Sequence, residues 1–235
     1  MTNAPAIALD GPAASGKSVV GRALARKLGY RFLDTGLMYR AITWAALQAH
    51  VDIKDGAKLQ RFAQEQPVEV VFNGDGPASL RVGNQDVTAH LREDAVVQAV
   101  SQVSQAAGLR DVLVASQRGL AQEGGIVMAG RDIGTVVLPD APVKIFLTAS
   151  AQERARRRHA EMAAAGDPAT YEAVLADLQR RDTLDGERKV SPMRPAQDAQ
   201  VVVTDGMDVE GVARFLLALV RRRLQVTASV EATDQ

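Results

Sequence analysis

The chain predicts an α/β fold: a five-stranded parallel sheet with helices on both faces, plus a small antiparallel β insertion. Three observations predict it. Short apolar runs of strand length alternate with amphipathic stretches of helical period, the pattern of parallel strands joined by crossover helices. A glycine-rich turn links the first strand to the first helix. One stretch, 67–88, breaks the alternation, with Asn-Gly, Asp-Gly and Gly-Asn pairs set between β-rich runs, and that is hairpin punctuation.

In chain order, 6–10 (AIALD) reads as the first strand. A helix follows over 17–28, with Val20, Leu24 and Leu28 on one face and Gly29 as its carboxy-terminal stop. A second strand over 30–34 leads into a helix carrying Met38, Ile42, Ala45 and Ala49 in register. After the β insertion, helical pattern returns over 89–122, with a break expected at Gly108. A buried strand within 124–135 ends in a polar loop, and another strand spans 141–149. Ser150 and Glu153 have the spacing of a capping box and open an arginine-rich helix that Gly166 ends. Asp167 and Pro168 read as the cap and first residue of the next helix. The fifth strand is 200–206, and a final amphipathic helix is expected to run to about Leu224, leaving 226–235 as a disordered tail.

Composition excludes several classes of function. Lys plus Arg and Asp plus Glu number 28 each, so the net charge is zero. Nucleic-acid and membrane-surface proteins usually carry a basic excess, so neither partner is expected. The absence of cysteine excludes disulfides, thiol nucleophiles and cysteine metal sites. His50, His90 and His159 are scattered without metal-ligand spacing. No secretory pattern and no apolar run of membrane length is seen, which predicts a cytoplasmic protein. With 235 residues, 46% of them hydrophobic, the chain is long enough for one well-packed domain, expected over 1–225.

The most specific stretch is ALDGPAASGKSVVGRAL. Residues 11–18 fit G-x-x-x-x-G-K-[ST] between a strand and a helix, which is where a phosphate cradle must lie. The glycines let backbone N–H groups of Gly11, Pro12, Ala13, Ala14, Ser15 and Gly16 (proline excepted) curl around an anion, and the helix start adds positive potential. Lys17 would reach the β- and γ-phosphates of a nucleoside triphosphate and Ser18 would ligate Mg²⁺. No Asn-Lys-x-Asp guanine reader is present, which weakens a GTPase reading.

Several groups could receive the phosphate. Thr35 and Arg40 stand five apart across a turn that Gly36 permits, and a hydroxyl with a guanidinium can hold a monophosphate. Alone, they are better explained by a helix cap and a surface arginine. Arg131 and Asp132 emerge at the end of a buried strand, where ligands bind in doubly wound sheets. Arg181, Asp185 and Arg188 lie at offsets of four and seven, a ligand face or a salt-bridge ladder. Arg154, Arg157 and Arg158 crowd one helix face, a repulsion that an anionic ligand or solvent would relieve. Asp34 could steer magnesium-bound water or simply end a strand.

Taken together, these residues resemble the bacterial cytidylate kinases, of the nucleoside monophosphate kinase group. The likeness spans roughly 4–224 and is most specific in LDTGLMYR, in AGRDIGTVVLPDAPVKIFL and in the arginine-aspartate segment RRDTLDGER. The resemblance implies a P-loop kinase core, a monophosphate-binding region over about 36–110 that includes the β insertion, and a short helical lid over about 150–188. It implies that ATP is held by 11–19, Val19 included, and by Arg157. It implies that Thr35, Arg40 and Arg131 hold the phosphate of CMP or dCMP. Ser101, Arg110, Asp132 and Arg188 would read the base, and Arg181 and Asp185 the sugar. Lys17, Arg131, Arg154 and Arg158 would act on the transferring phosphate. One departure is that Ser18 and Val19 stand where the family often has Gly-Thr or Ser-Thr; Ser18 keeps the hydroxyl that magnesium needs.

The base assignment has its own physics. Cytosine offers an amino donor at N4 and acceptors at N3 and O2, which suits a carboxylate and a guanidinium. Uracil presents O4 to the carboxylate and leaves it unpaired, so such a pocket favours cytosine. The acceptor is already an oxyanion, so transfer needs alignment and charge neutralisation rather than a strong base. Rivals are another small kinase with a different acceptor and a nucleotide-dependent binding switch. A monomer is expected, since a mobile clamp and lid need free surface.

Overall fold

The computed structural model describes residues 4–74, 76–188 and 190–233. The first strand, β1 (Ile7–Asp10), leads to α1 (Lys17–Leu28), β2 (Arg31–Asp34) and α2 (Thr35–Gln48). Then come α3 (Gly56–Glu65), β3 (Val68–Val71), β4 (Ser79–Val82), β5 (Gln85–Asp86), α4 (Asp94–Val103) and α5 (Ala107–Gln122). The chain continues through β6 (Ile126–Gly130), β7 (Val143–Thr148), α6 (Ala151–Ala164), α7 (Tyr171–Gly186), β8 (Gln200–Val203) and α8 (Val209–Thr233). Five strands form one sheet in the order β2-β6-β1-β7-β8, and β3-β4-β5 form a second. β1 runs parallel to β6 and to β7, and β7 parallel to β8. The small sheet is antiparallel. The parallel sheet with its helices and the separate meander are the fold the sequence predicts.

Two compact units make up the chain: Pro5–Tyr30 with Val127–Gln235, and Met1–Ala4 with Arg31–Ile126. In the first, α1 and α8 pack on each other and on β1 and β7. Its core is Ile7, Leu9, Leu24, Met128, Ile145, Leu147, Val212, Leu216 and Val220, all buried. From β1 the chain leaves toward one sheet edge, β2, and from β7 toward the other, β8. In open α/β sheets, ligands bind at the carboxyl ends of strands where the chain switches direction in this way. α6 and α7 form a hairpin whose own small core joins Ala13, Ala155, Val174 and Leu178. In the second unit, α2 packs on α4 and on the meander, and α3 packs on α5.

Five local expectations are corrected. The break in 89–122 falls at residues 104–106, and Gly108 lies inside the first turn of α5. Its missing side chain makes room for Gln60 of α3, so this glycine serves helix contact and not helix termination. Ser150 does cap α6 by accepting from the Glu153 N–H at 3.2 Å. The reciprocal half of the box is absent, because the Ser150 N–H donates to Asp205 and the Glu153 carboxylate turns to Arg156 and Arg157. Guanidinium partners outcompete a single amide. α7 starts at Tyr171 with Thr170 as its cap, while Asp167 accepts from the Ala169 N–H in a local turn. α8 runs to Thr233, past Leu224, taking in most of the expected tail; no glycine or proline follows Leu224 to stop it. Residues 234 and 235 of that tail lie outside the described residues. Finally, α3 falls in a stretch for which the sequence reading names no element; Asp55 caps it, accepting from the Ala57 and Lys58 N–H groups.

Candidate active site

The loop between β1 and α1 turns on two glycines. Gly11 has φ 147°, and a side chain there would collide with the carbonyl oxygen of Leu147 on β7. Gly16 has φ 91° and precedes α1 with no side-chain cap, so the first amides of the helix have no side-chain acceptor from that position. Ala14 takes a left-handed φ of 57° without being glycine, a strain of about 1 kcal/mol that keeps the loop curled. Lys17, buried, folds back to donate to the Pro12 carbonyl at 2.6 Å and the Ser15 hydroxyl at 3.3 Å. Both are neutral acceptors, which anionic phosphate oxygens outcompete. Ser18 and Val19 follow in the first turn of α1.

The α6–α7 hairpin brings arginines to this loop. Arg154 is buried and donates to the carbonyls of Ala149 (3.0 Å) and Ala13 (3.1 Å) and to Asp182 (2.6 Å). It thereby ties the hairpin to the phosphate loop. Arg157 donates to Glu153 at 2.8 Å and to the Thr204 hydroxyl and carbonyl at 3.0 and 2.6 Å. Arg158 reaches Glu161 at 3.3 Å. The crowding of like charges expected on this face is therefore relieved from within the chain. Arg156 and Arg157 in turn pull the Glu153 carboxyl down to about 2.

At the carboxyl end of β6 stand Arg131 and the buried Asp132. Arg131 donates to Asp185 at 2.8 Å, and Arg188 donates to the other oxygen of the same carboxylate. Asp185 is buried. Arg181 stands one helical turn away, 3.8 Å from Asp177, and burial lowers its guanidinium below its usual value, with Arg131 nearby adding to the effect. Arg131 and Arg188 thus share one buried carboxylate, and guanidinium groups gathered in this way suit an anionic ligand. Arg188 lies just past the end of α7 rather than on its face.

The other predicted residues belong to the unit of Arg31–Ile126. Thr35 is buried as the first residue of α2, and the cap is Asp34, whose carboxylate accepts from the Gly36 N–H at 3.1 Å. Arg40 donates to the Leu91 carbonyl at 3.1 Å. Ser101 is half-buried on α4. Arg110 on α5, buried, donates to the Ser104 carbonyl at 3.3 Å and lies 5.5 Å over the Tyr39 ring.

Four residues that organise these groups escape a sequence reading: Asp10, Glu153 in its ion-pair role, Asp182 and Thr204. Asp10 carried a signal, a charge closing an apolar strand just before the loop. Glu153 carried one too, arginines three and four residues further on; Asp182 and Thr204 carried none, because their partners lie elsewhere in the fold.

A parallel sheet whose first strand runs through a glycine-lysine-serine turn into a helix, with arginines gathered at the strand tips, defines a P-loop phosphotransferase. The family model for cytidylate kinase matches residues 7–222. A cytidylate kinase of Mycolicibacterium paratuberculosis is 51% identical over 227 residues, covering 96% of this chain and 99% of its own length. One from Mycobacterium avium is 52% identical over 221 residues, covering 94% and 96%. One from Bacillus licheniformis is 44% identical over 219 residues, covering 93% and 97%. The chain belongs to the cytidylate kinase family.

Proposed function

We propose that this protein transfers the γ-phosphoryl group of ATP to the 5′-phosphate of CMP or dCMP, giving ADP and CDP or dCDP. The observation that carries this reading is a juxtaposition. The phosphate loop and the dipeptide of Arg131 and Asp132 leave adjacent parallel strands, β1 and β6, at the same end, with Asp10 in register with Gly130. This supports a reading in which donor and acceptor bind side by side.

ATP takes residues 11–19 and Arg157. Thr35, Arg40 and Arg131 hold the acceptor's phosphate; Ser101, Arg110, Asp132 and Arg188 read the base; Arg181 and Asp185 meet the sugar. Lys17, Arg131, Arg154 and Arg158 neutralise charge on the transferring group, which is where positioned cations lower the barrier most. The hairpin of α6 and α7 acts as a lid that keeps water from the phosphoryl group. Mg²⁺ is part of the same proposal, held mainly by the nucleotide's phosphates. Ser18 in the first turn of α1 offers a hydroxyl, which fits an ion that keeps most of its waters and leans on phosphates. Bound there, the ion would supply charge neutralisation on the phosphate oxygens.

We also propose a monomer, testable by light scattering. Among the described residues no helix is long and apolar enough to cross a membrane; a cytoplasmic location is part of the same proposal. A panel of CMP, dCMP, UMP, AMP and GMP with coupled ADP detection tests the function. Turnover of CMP and dCMP with little of the others is expected. UMP turned over as well as CMP would sink the base assignment.

A further inference from the structure

The tip of β1 holds a side chain that none of these roles uses. Asp10 is 3% exposed. Its two carboxylate oxygens accept one hydrogen bond each, from the N–H groups of Ile133 and Gly134, both at 2.7 Å. These are the first amides of a π-helical turn, Ile133–Val137, that begins directly after Asp132. The carbonyl of Asp132 closes the same turn by accepting from Val136 (2.9 Å) and Val137 (3.2 Å). Gly134 is what lets the carboxylate approach: a Cβ there would stand 3.3 Å from Asp10 Oδ2 and 3.3 Å from side-chain carbons of Lys144. A buried carboxylate is costlier than an aliphatic side chain of similar size, so packing alone does not account for it.

We propose that Asp10 is a positioning residue that fixes the backbone of residues 133 and 134, and through it the placement of Asp132 and Arg131 beside the phosphate loop. It acts on recognition of the acceptor base and phosphate rather than on ATP, and in this it rests on the acceptor reading above. Although Asp10 is the chain neighbour of Gly11 and feels the charge of Lys17, its hydrogen bonds go to the turn that follows the adjacent strand β6. A simple structural role would disturb both nucleotides; a positioning role disturbs one.

The test is a split of Michaelis constants in two variants. Asp10→Asn keeps the size but sets an amide NH₂ against a backbone N–H. The KM for CMP is expected to rise about tenfold, the worth of one charge-assisted hydrogen bond. The preference for CMP over UMP in kcat/KM falls by a similar factor, and the KM for ATP stays within about threefold. Gly134→Ala presses on the same contact from the other side, with no substitution in β1 or the loop, and is expected to shift the CMP constant in the same direction by less. Should Asp10→Asn fail to fold, Gly134→Ala carries the test. Equal rises for ATP and CMP, or no change in a folded variant of either kind, overturn the inference. A wild-type protein inert toward CMP overturns the acceptor reading and this inference with it, whereas an active wild type without the split overturns the inference alone.

Discussion

Lys17 and Asp10 sit seven residues apart and face opposite tasks. The lysine is held by weak neutral acceptors and can exchange them for phosphate. Lys17→Ala is expected to lower kcat by about a hundredfold or more, as loss of one transition-state donor does, measured by the coupled assay at saturating nucleotide. A mutant of near-normal turnover removes the lysine from the mechanism. Asp10 is the case where burial sets the chemistry. Desolvation is the largest influence on it and raises its pKa from 3.8 to about 6. The Gly134 and Ile133 amides oppose that rise, Asp132 adds to it, and Lys17 opposes it. The folded state therefore binds this proton more tightly than the unfolded chain does, while the carboxylate remains the main form at pH 7. The stability this contributes is full below about pH 4 and is lost as pH rises through about 6. Relative to Asp10→Asn, the wild type is expected to lose on the order of 3 kcal/mol of unfolding free energy between pH 4 and pH 7. Denaturant titrations at both pH values check it; a difference that does not vary with pH contradicts it.

At the scale of elements, the hairpin of α6 and α7 is the informative part. Its core is small, with Leu178 (3% exposed) packed among Ala13, Ala155 and Val174. Leu178→Ala is expected to cost about 2–4 kcal/mol locally. Amide exchange should quicken over α6 and α7 while β1, β6 and β7 keep their protection; uniform loss of protection would mean the hairpin is not a separate cooperative unit. The hairpin's arginines also mark what spacing can and cannot tell. Glu153 beside Arg156 and Arg157 was readable as local charge pairing, yet it reads equally as a capping box. The guanidinium groups decided between the two. Gly108 is similar: in sequence it marks a break, and only the neighbouring α3 reveals it as a point of close approach.

For the whole molecule, binding and stability are linked. CMP that binds the folded chain alone stabilises it by about 2.7 kcal/mol at a hundred times its dissociation constant. A thermal shift with CMP, larger than with UMP at the same concentration, is therefore expected. Equal shifts would mean that the base is not read. The strand order places β1 centrally, between β6 and β7, so the turn after β6 reaches the tip of β1 and Arg154, after β7, reaches the phosphate loop. The alternation of strands and helices predicts a parallel sheet, but its order, with β6 inserted between β2 and β1, leaves no trace in local pattern.

Alone, the sequence determined most of the strands and helices, α3 excepted, and the phosphate loop, because each depends on side chains or backbone freedom within a few neighbouring residues. Gly11 and Gly16 must be glycines where φ is positive, and that requirement is written at the positions themselves. Tertiary structure decided the partners: Asp10 with the amides of 133 and 134, Arg154 with Asp182, Arg131 with Asp185. These contacts join residues 28 to 124 positions apart. They exist only because the sheet's pairing brings distant strand ends together, and burial then makes a charge that would be idle in water strong enough to orient its neighbour.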